Sequence, residues 1–312
     1  MSLNYAEVWS PELLAIKIQE TLTSPFIVPN VKWLGAKTFH FTQMSTSGFK
    51  THSRNGGWNR GTVTQTDNEF KVEFSRDIEF LIDKADVDET NATASIENIA
   101  KVFEMTQVAP EHDAYFFSKV AQKAIAANLY SETAASDYTV DNVFTKLKQQ
   151  LARVKRYRRS NIMYVASWIM DLLELSKELA KKVELTQVAD GGIGIETRVT
   201  FIDGVPILEC IEEDRFYDKF DFDPTLGGFE PIDGESRKIN TLIASTEMVV
   251  TVPKISSIYY FEPGTHTEGD GWLYQHREDY DTFVFPNGKD NTIDSVFVDV
   301  VPLVQDPSNN GS

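Results

Sequence analysis

Cysteine is almost absent from this chain: Cys210 is the single one in 312 residues. No intrachain disulfide can form, which fits a reducing compartment, and packing is the natural role of that thiol. No apolar run is long enough to span a bilayer. The opening MSLNYAEVWS lacks a basic stretch followed by an apolar core, so it is not a secretory signal. These absences together point to a soluble product made, or assembled, inside the cell. Positive charge is scarce too. Thirty Lys and Arg against 47 Asp and Glu give a net charge of −17, which argues against broad binding to a phosphate backbone. There is no internal repeat and no low-complexity tract.

Catalytic machinery is equally thin. There is no G-x-S-x-G elbow. The five histidines (His40, His52, His112, His266, His276) show no metal-ligand spacing. GGIG at Gly191–Gly194 follows a helical pattern and precedes a strand, the reverse of a phosphate cradle, and reads as a helix stop and turn. The run Asp86-x-Asp88-x-Thr90 with Glu97 imitates a calcium loop, but Asn91 stands where the sharp turn needs glycine. Acidic residues favoured at a helix N-terminus explain it better. His266 and His276, near Glu268, Asp270, Asp279 and Asp281, could outline a hydrolytic site, against the plainer reading of an acidic surface loop. No catalytic residue, cofactor or metal is expected.

What is present is a long helical stretch, from Asp83 to about Ala127, that organises the rest. Asp86, Asp88, Glu89 and Thr90 open it, and Ile96, Ile99, Phe103, Tyr115, Phe116, Val120 and Ala124 recur at helical spacing. Pro110 should kink or restart it; the whole predicts a rod of about 50 Å. Before it, from Thr38 to Asp83, the period is two: Phe39 and Phe41, then Phe70, Val72 and Phe74, then Ile78, Phe80 and Ile82. The polar tip SRNGGWNRG, with Asn55-Gly56 as turn signal, joins two limbs of about 50–65 Å. A lone two-stranded ribbon is marginal in water, so this one should lie against something else. A neighbouring subunit fits; two short strands with a disordered tip is the alternative.

Residues 1–37 read as an arm, a short helix after Ser10-Pro11 broken by Pro25 and Pro29, that docks elsewhere. Beyond the long helix, 131–252 mixes helices (through Val143, Leu147 and Leu151, and through Trp168, Leu172 and Leu173) with a buried strand at 161–165. A hairpin there turns at Asp203-Gly204. The stretch 253–302 is strand-rich, with runs at 257–261, 272–276, 281–285 and 295–301. The end, from 303, reads as a disordered tail. One basic cluster, Arg153, Lys155, Arg156, Arg158 and Arg159, sits at a helix end. It is either a solvated last turn or a contact for an acidic neighbour.

Taken in order, the runs FSRDIEFLIDKADVDET, VAPEHDAYFFSKVA, NIMYVASWIMDLLE, and VTFIDGVPILE with WLYQHREDYDTFVF resemble the major capsid proteins of tailed double-stranded DNA phages, of the Hong Kong 97 type. The order of all four carries the resemblance, and it covers nearly the whole chain. It implies an α+β capsid fold with an N-terminal arm (1–37) and a projecting β-hairpin, the E-loop (38–82). The spine helix (83–130) would join 253–302 in a peripheral domain, and 131–252 would form an axial domain. It further implies pentamers and hexamers in an icosahedral shell, a portal protein, packaged DNA held without sequence-specific contact, and residence in the virion after assembly in the host cytoplasm. No cleaved scaffolding segment is expected, so a separate scaffolding protein is. The candidate intersubunit contacts are Phe49, Arg54, Trp58 and Arg60 in the hairpin, with the basic cluster of Arg153, Lys155, Arg156, Arg158 and Arg159. Lys50 and Asn55 lie in the hairpin, but the Lys–Asn crosslinking of some relatives is not carried over. Two alternatives remain: an encapsulin-like compartment shell, and an acidic carbohydrate-active enzyme using Asp279 and Asp281.

Overall fold

The structure, a computed structural model, describes residues 21–28, 38–52, 58–83, 96–176, 200–225, 227–266, 269–287 and 289–303. The alternating segment before the long helix is divided between two sheets. Among the described residues, strands β1 (Thr38–Thr46) and β2 (Val63–Lys71) pair only with each other, in unbroken antiparallel register from Thr38 opposite Lys71 to Thr46 opposite Val63. The chain breaks at Val72 and Glu73, and β3 (Phe74–Asp83) then joins a different sheet. The paired strands of the ribbon are nine residues each, about 30 Å, against an expected limb of about 50–65 Å. The period of two runs through both sheets without marking the break between them.

Helical backbone follows as α1 (Ile96–Phe103), a π-turn (Glu104–Val108) and α2 (Ala109–Ala126). Its 8, 5 and 18 residues make about 46 Å. Pro110 does not restart the helix. It lies just after the π-turn, whose wider winding accommodates a residue that has no N–H to donate and whose ring crowds the carbonyl four residues back. The acidic opening at 86–90, and with it most of the calcium-like run, lies outside the described residues, as does GGIG.

After β4 (Tyr130–Glu132) come α3 (Val143–Arg153), β5 (Asn161–Ala166), α4 (Ser167–Leu175), β6 (Thr200–Ile202) and β7 (Val205–Cys210). The predicted hairpin turn is there: Asp203 and Gly204 both take positive φ, 53° and 81°, as a tight two-residue turn requires. Among the described residues of 220–238, the strands are the two-residue β8 (Phe220–Asp221) and β9 (Glu230–Pro231). The chain closes with β10 (Ile239–Ser245), β11 (Val249–Phe261), β12 (Gly271–Val284) and β13 (Val296–Val300).

Two larger sheets result. A six-stranded one runs β4-β13-β10-β5-β7-β6, and a three-stranded one β11-β12-β3. The range 253–302 is shared between the two: β12 pairs with both β11 and β3, whereas β13 pairs with β10 and β4. The two strands expected at 272–276 and 281–285 are one strand of 14 residues. Its polar middle, from His276 to Asp281, looked like an interruption because those side chains find buried partners only in three dimensions.

The six-stranded sheet is covered on both faces, and its strands show it residue by residue. On β5, Ile162, Tyr164 and Ala166 pack with Phe116, Phe117, Val120 and Ala124 of α2. Met163 and Val165 point the other way, into Leu147, Leu151, Ile169 and Leu173 of α3 and α4. β10 and β13 divide alike, with Leu242, Ala244, Val296 and Val298 on the α2 side and Ile243 and Phe297 on the other. Burial on both faces is why these strands read as continuous apolar runs. The three-stranded sheet takes α1, through Ile82, Ala100 and Tyr274 with Phe80 and Ile99.

Part of the arm docks on its own chain, contrary to expectation. Leu22 and Thr23 donate their backbone N–H groups, and Thr23 its hydroxyl, to the Asp113 carboxylate at 3.0, 3.0 and 2.8 Å. Phe26 is buried against Phe116 and Tyr164. The sequence gives no local sign of this docking, because Asp113 lies 90 residues beyond Thr23.

Candidate assembly interface

The β1–β2 hairpin is anchored at its root and exposed at Phe49 and Trp58 beyond its strands. Phe70 meets Phe283 and Phe285 edge-on, ring centres 5.3 and 5.0 Å away. Outward, the ladder is extended by Ser47 N–H donating to the Thr62 carbonyl at 2.9 Å and by the Asn59 amide donating to the Thr51 carbonyl at 2.9 Å. Phe49 and Trp58 beyond it are 111% and 95% exposed, so nothing in the described chain covers either ring. Arg60 is exposed as well, and Arg54 lies outside the described residues.

Charge is segregated along the sequence in the same place. Residues 21–66 hold five cations (Lys32, Lys37, Lys50, Arg54, Arg60) and no carboxylate; since the whole is −17, the remaining residues carry −22. A basic, aromatic-tipped hairpin thus stands out from an acidic body. That contrast was readable in the sequence, where the gap between Glu20 and Asp67 is its signal, and composition averaged over the chain concealed it.

The basic cluster at the end of α3 is partly spent within the chain. Arg156 pairs with Asp294 at 2.9 Å. Arg158 donates to the Asp203 carbonyl at 2.8 Å and approaches its carboxylate at 3.6 Å, and Lys148 reaches the same carboxylate at 3.4 Å. Arg153, Lys155 and Arg159 are exposed. Sequence reasoning missed further exposed apolar side chains: Leu81 on β3, Tyr259 on β11, and Val102 and Met105 on the helix. Leu81 and Tyr259 occupy outward positions of alternating strands, where only the loss of polarity could have flagged them.

The groups proposed for hydrolysis do not converge. His266 lies beside the Gly271 carbonyl (2.7 Å) in the turn before β12, and Gly271 is itself five residues, about 17 Å along the strand, from His276. Asp281 accepts from the Tyr115 hydroxyl at 2.8 Å and from the Glu73 N–H at 3.2 Å. Asp279 accepts from Ser75 at 2.5 Å. Both carboxylates are buried and hold β3 and α2 to β12. Burial pushes the Tyr115 hydroxyl above its ordinary range, with the Asp281 charge adding to it. The Cys210 thiol is buried and likewise pushed up by that burial, as a packing residue would be. Among the described residues no group of three or more His, Cys, Asp or Glu could hold a metal ion, and no helix is long and apolar enough to cross a membrane.

No family model and no curated protein matches the sequence. Solved structures do. The mature capsid of bacteriophage PhiM1 superposes with a TM-score of 0.60 at 15% identity, over 91% of this chain and 88% of that one. The capsid of cyanophage P-SCSP1u gives 0.59 at 10%, over 91% and 89%. A structure from Mycobacterium phage Che8 gives 0.57 at 11%, over 89% and 90%. Identities this low speak to architecture, and the coverage leaves almost no part of either chain outside it. The chain has the Hong Kong 97-type capsid fold.

Proposed function

We propose that this chain is the structural, non-enzymatic subunit of an icosahedral tailed-phage head, closing as pentamers and hexamers around double-stranded DNA. The observation that carries the reading is the bare hairpin: a two-stranded ribbon of marginal stability in water, tipped by two uncovered aromatic rings, on a capsid fold. Such a ribbon gains its burial from another copy. The five-cation stretch 21–66, which contributes Lys50, Arg54 and Arg60 to the ribbon, faces no shortage of partners, because every sister subunit offers a −22 body. Phe49, Arg54, Trp58 and Arg60 are assigned to that contact, and Arg153, Lys155 and Arg159 to a second one, with Arg156 and Arg158 held back by their own carboxylates.

An acidic body also suits a container. A strongly basic lining would bind the genome by counterion release and oppose its exit. The division into arm, E-loop, peripheral and axial domains, a separate scaffolding protein, a portal at one vertex, and residence in the virion after cytoplasmic assembly belong to the same proposal. An encapsulin-like compartment shares the architecture and would enclose protein. The test is electron microscopy of the chain, alone at high concentration and coexpressed with candidate scaffolds, beside a variant lacking residues 47–62. The expected result is shells from the full chain, DNA-containing when isolated from infected cells, and a folded monomer without shells from the variant. Shells from the shortened chain would refute the role given to the hairpin.

A further inference from the structure

A cleft of about 950 Å³ opens where β3, the π-turn of the long helix and the short β8–β9 ladder meet. Phe74, Phe80, Phe103 and Phe222 line it, and each ring is only partly buried. Asp77, Asp221 and Asp223 edge it and are exposed. Aromatic walls with an acidic rim suit a partner that is both apolar and positively charged.

The β8–β9 ladder gives an independent sign of that partner's charge. Its register sets Asp221 directly opposite Glu230, and both are exposed. Like charges facing each other across a strand pair are destabilising. A third carboxylate stays close, because the Asp223 N–H donates to Asp221 Oδ1 at 2.9 Å. Among the described residues no cation pairs with Asp77, Asp221, Asp223 or Glu230. Arg76 does reach this ladder, but it donates to the Phe222 and Gly228 carbonyls, and its ion pair is with Glu111 of α2 at 2.8 Å. A cation from another copy would relieve the repulsion.

The chain itself carries the matching group. Its hairpin exposes Phe49 and Trp58, with Lys50 and Arg60 beside them, in a stretch without a carboxylate between Glu20 and Asp67. The cleft begins at Glu73 and Phe74, just past the end of β2, whereas Phe49 and Trp58 lie beyond the far end of strands about 30 Å long. Their exposure shows that neither ring enters its own cleft. Tip and cleft thus occupy separate places on one chain, as a heterologous contact needs, and such contacts close into rings when the rotation permits.

We propose that the hairpin tip of one copy seats in this cleft of the next, with Phe49 and Trp58 against the aromatic walls and Lys50 and Arg60 against the Asp221–Glu230 rung. The inference rests on the capsid reading above and names the surface that receives the hairpin.

Charge exchange on the full chain tests it, with shells sedimented against subunit concentration and monomer unfolding followed in urea. Asp221→Asn keeps the oxygen that accepts from the Asp223 N–H and removes the facing like charges, so the monomer should be at least as stable as wild type. Assembly should nevertheless need about tenfold more protein, since the hairpin cations lose the same carboxylate. Asp221→Lys with Asp223→Lys should raise that concentration further, and adding Lys50→Glu with Arg60→Glu should bring it back toward the wild-type value. Assembly of Asp221→Asn at the wild-type concentration would overturn the seat, and so would no recovery in the combined chain; if the lysine variants fold poorly, Asp221→Asn alone decides. The variant lacking residues 47–62 separates this inference from the reading beneath it. If that variant forms no shells while the cleft variants assemble normally, the hairpin grips elsewhere; if it forms shells as well, the hairpin has no such role.

Discussion

The six-stranded sheet and the β1–β2 hairpin are both β-structure, the first of near-continuous apolar strands and the second of alternating ones, and they reach opposite ends. Strand β5 buries every residue, its odd and even positions claimed by two separate cores. Among the described residues the hairpin strands pair only with each other, and Phe49 and Trp58 stand in solvent. The first is complete as a folding unit. The second is complete only as an object for another surface. Folding and assembly are thus assigned to different residues, which lets each be damaged without the other.

The sharpest way to separate them is to break the core. Phe117 is fully buried between Tyr164 and Phe216, with ring centres 5.0 and 4.9 Å away. Phe117→Ala should cost about 3–5 kcal/mol of unfolding free energy, from lost transfer energy and the cavity left behind. Urea denaturation of the monomer measures it, and shells should disappear only because the subunit does. The clamp on residues 21–28 gives a smaller effect. Asp113 is fully buried, and burial raises its carboxyl while Arg215, at 2.8 Å, and the Thr23 and Leu22 donors pull it back. Thr23→Ala removes one of those charge-assisted bonds and should cost about 1.5–3 kcal/mol, with faster proteolysis between 21 and 28. No change in either measurement would mean that the segment is held by Phe26 and the two backbone donors without help from the Thr23 hydroxyl.

How much of this was legible in sequence depends on how far apart the partners lie. β5, the helices over it and the Asp203-Gly204 turn were visible because periodicity and turn chemistry are local. The fold itself was readable from the order of four such segments. The split of 38–83 between two sheets was not, because β2 and β3 alternate alike on either side of Val72 and Glu73. Nor was the unity of β12, whose His276, Glu278, Asp279 and Asp281 are polar in the sequence and buried in the fold. Their partners, Glu104, His112, Ser75 and Tyr115, stand more than 160 residues away. Spacing did hold a trace of it: His276 and Glu278 alternate on one strand face, while Glu104 and His112, eight apart, share a helical stripe.

The finest test leaves the subunit untouched. Trp58 is 95% exposed and no described residue packs over its ring, so Trp58→Ala should alter monomer stability by no more than about 0.5 kcal/mol. If the hairpin docks on a sister copy, the same change removes a large aromatic from a buried contact. Such anchors are commonly worth about 2 kcal/mol or more, and the concentration needed for assembly should rise at least about 30-fold per contact. Sedimentation of shells against subunit concentration reads one quantity, and urea unfolding of the monomer reads the other. A variant that assembles at the wild-type concentration would show that the tip is not the gripping part of the hairpin. A variant that loses monomer stability would show that Trp58 had a partner in its own chain, and the contrast between the two regions would not hold at that residue.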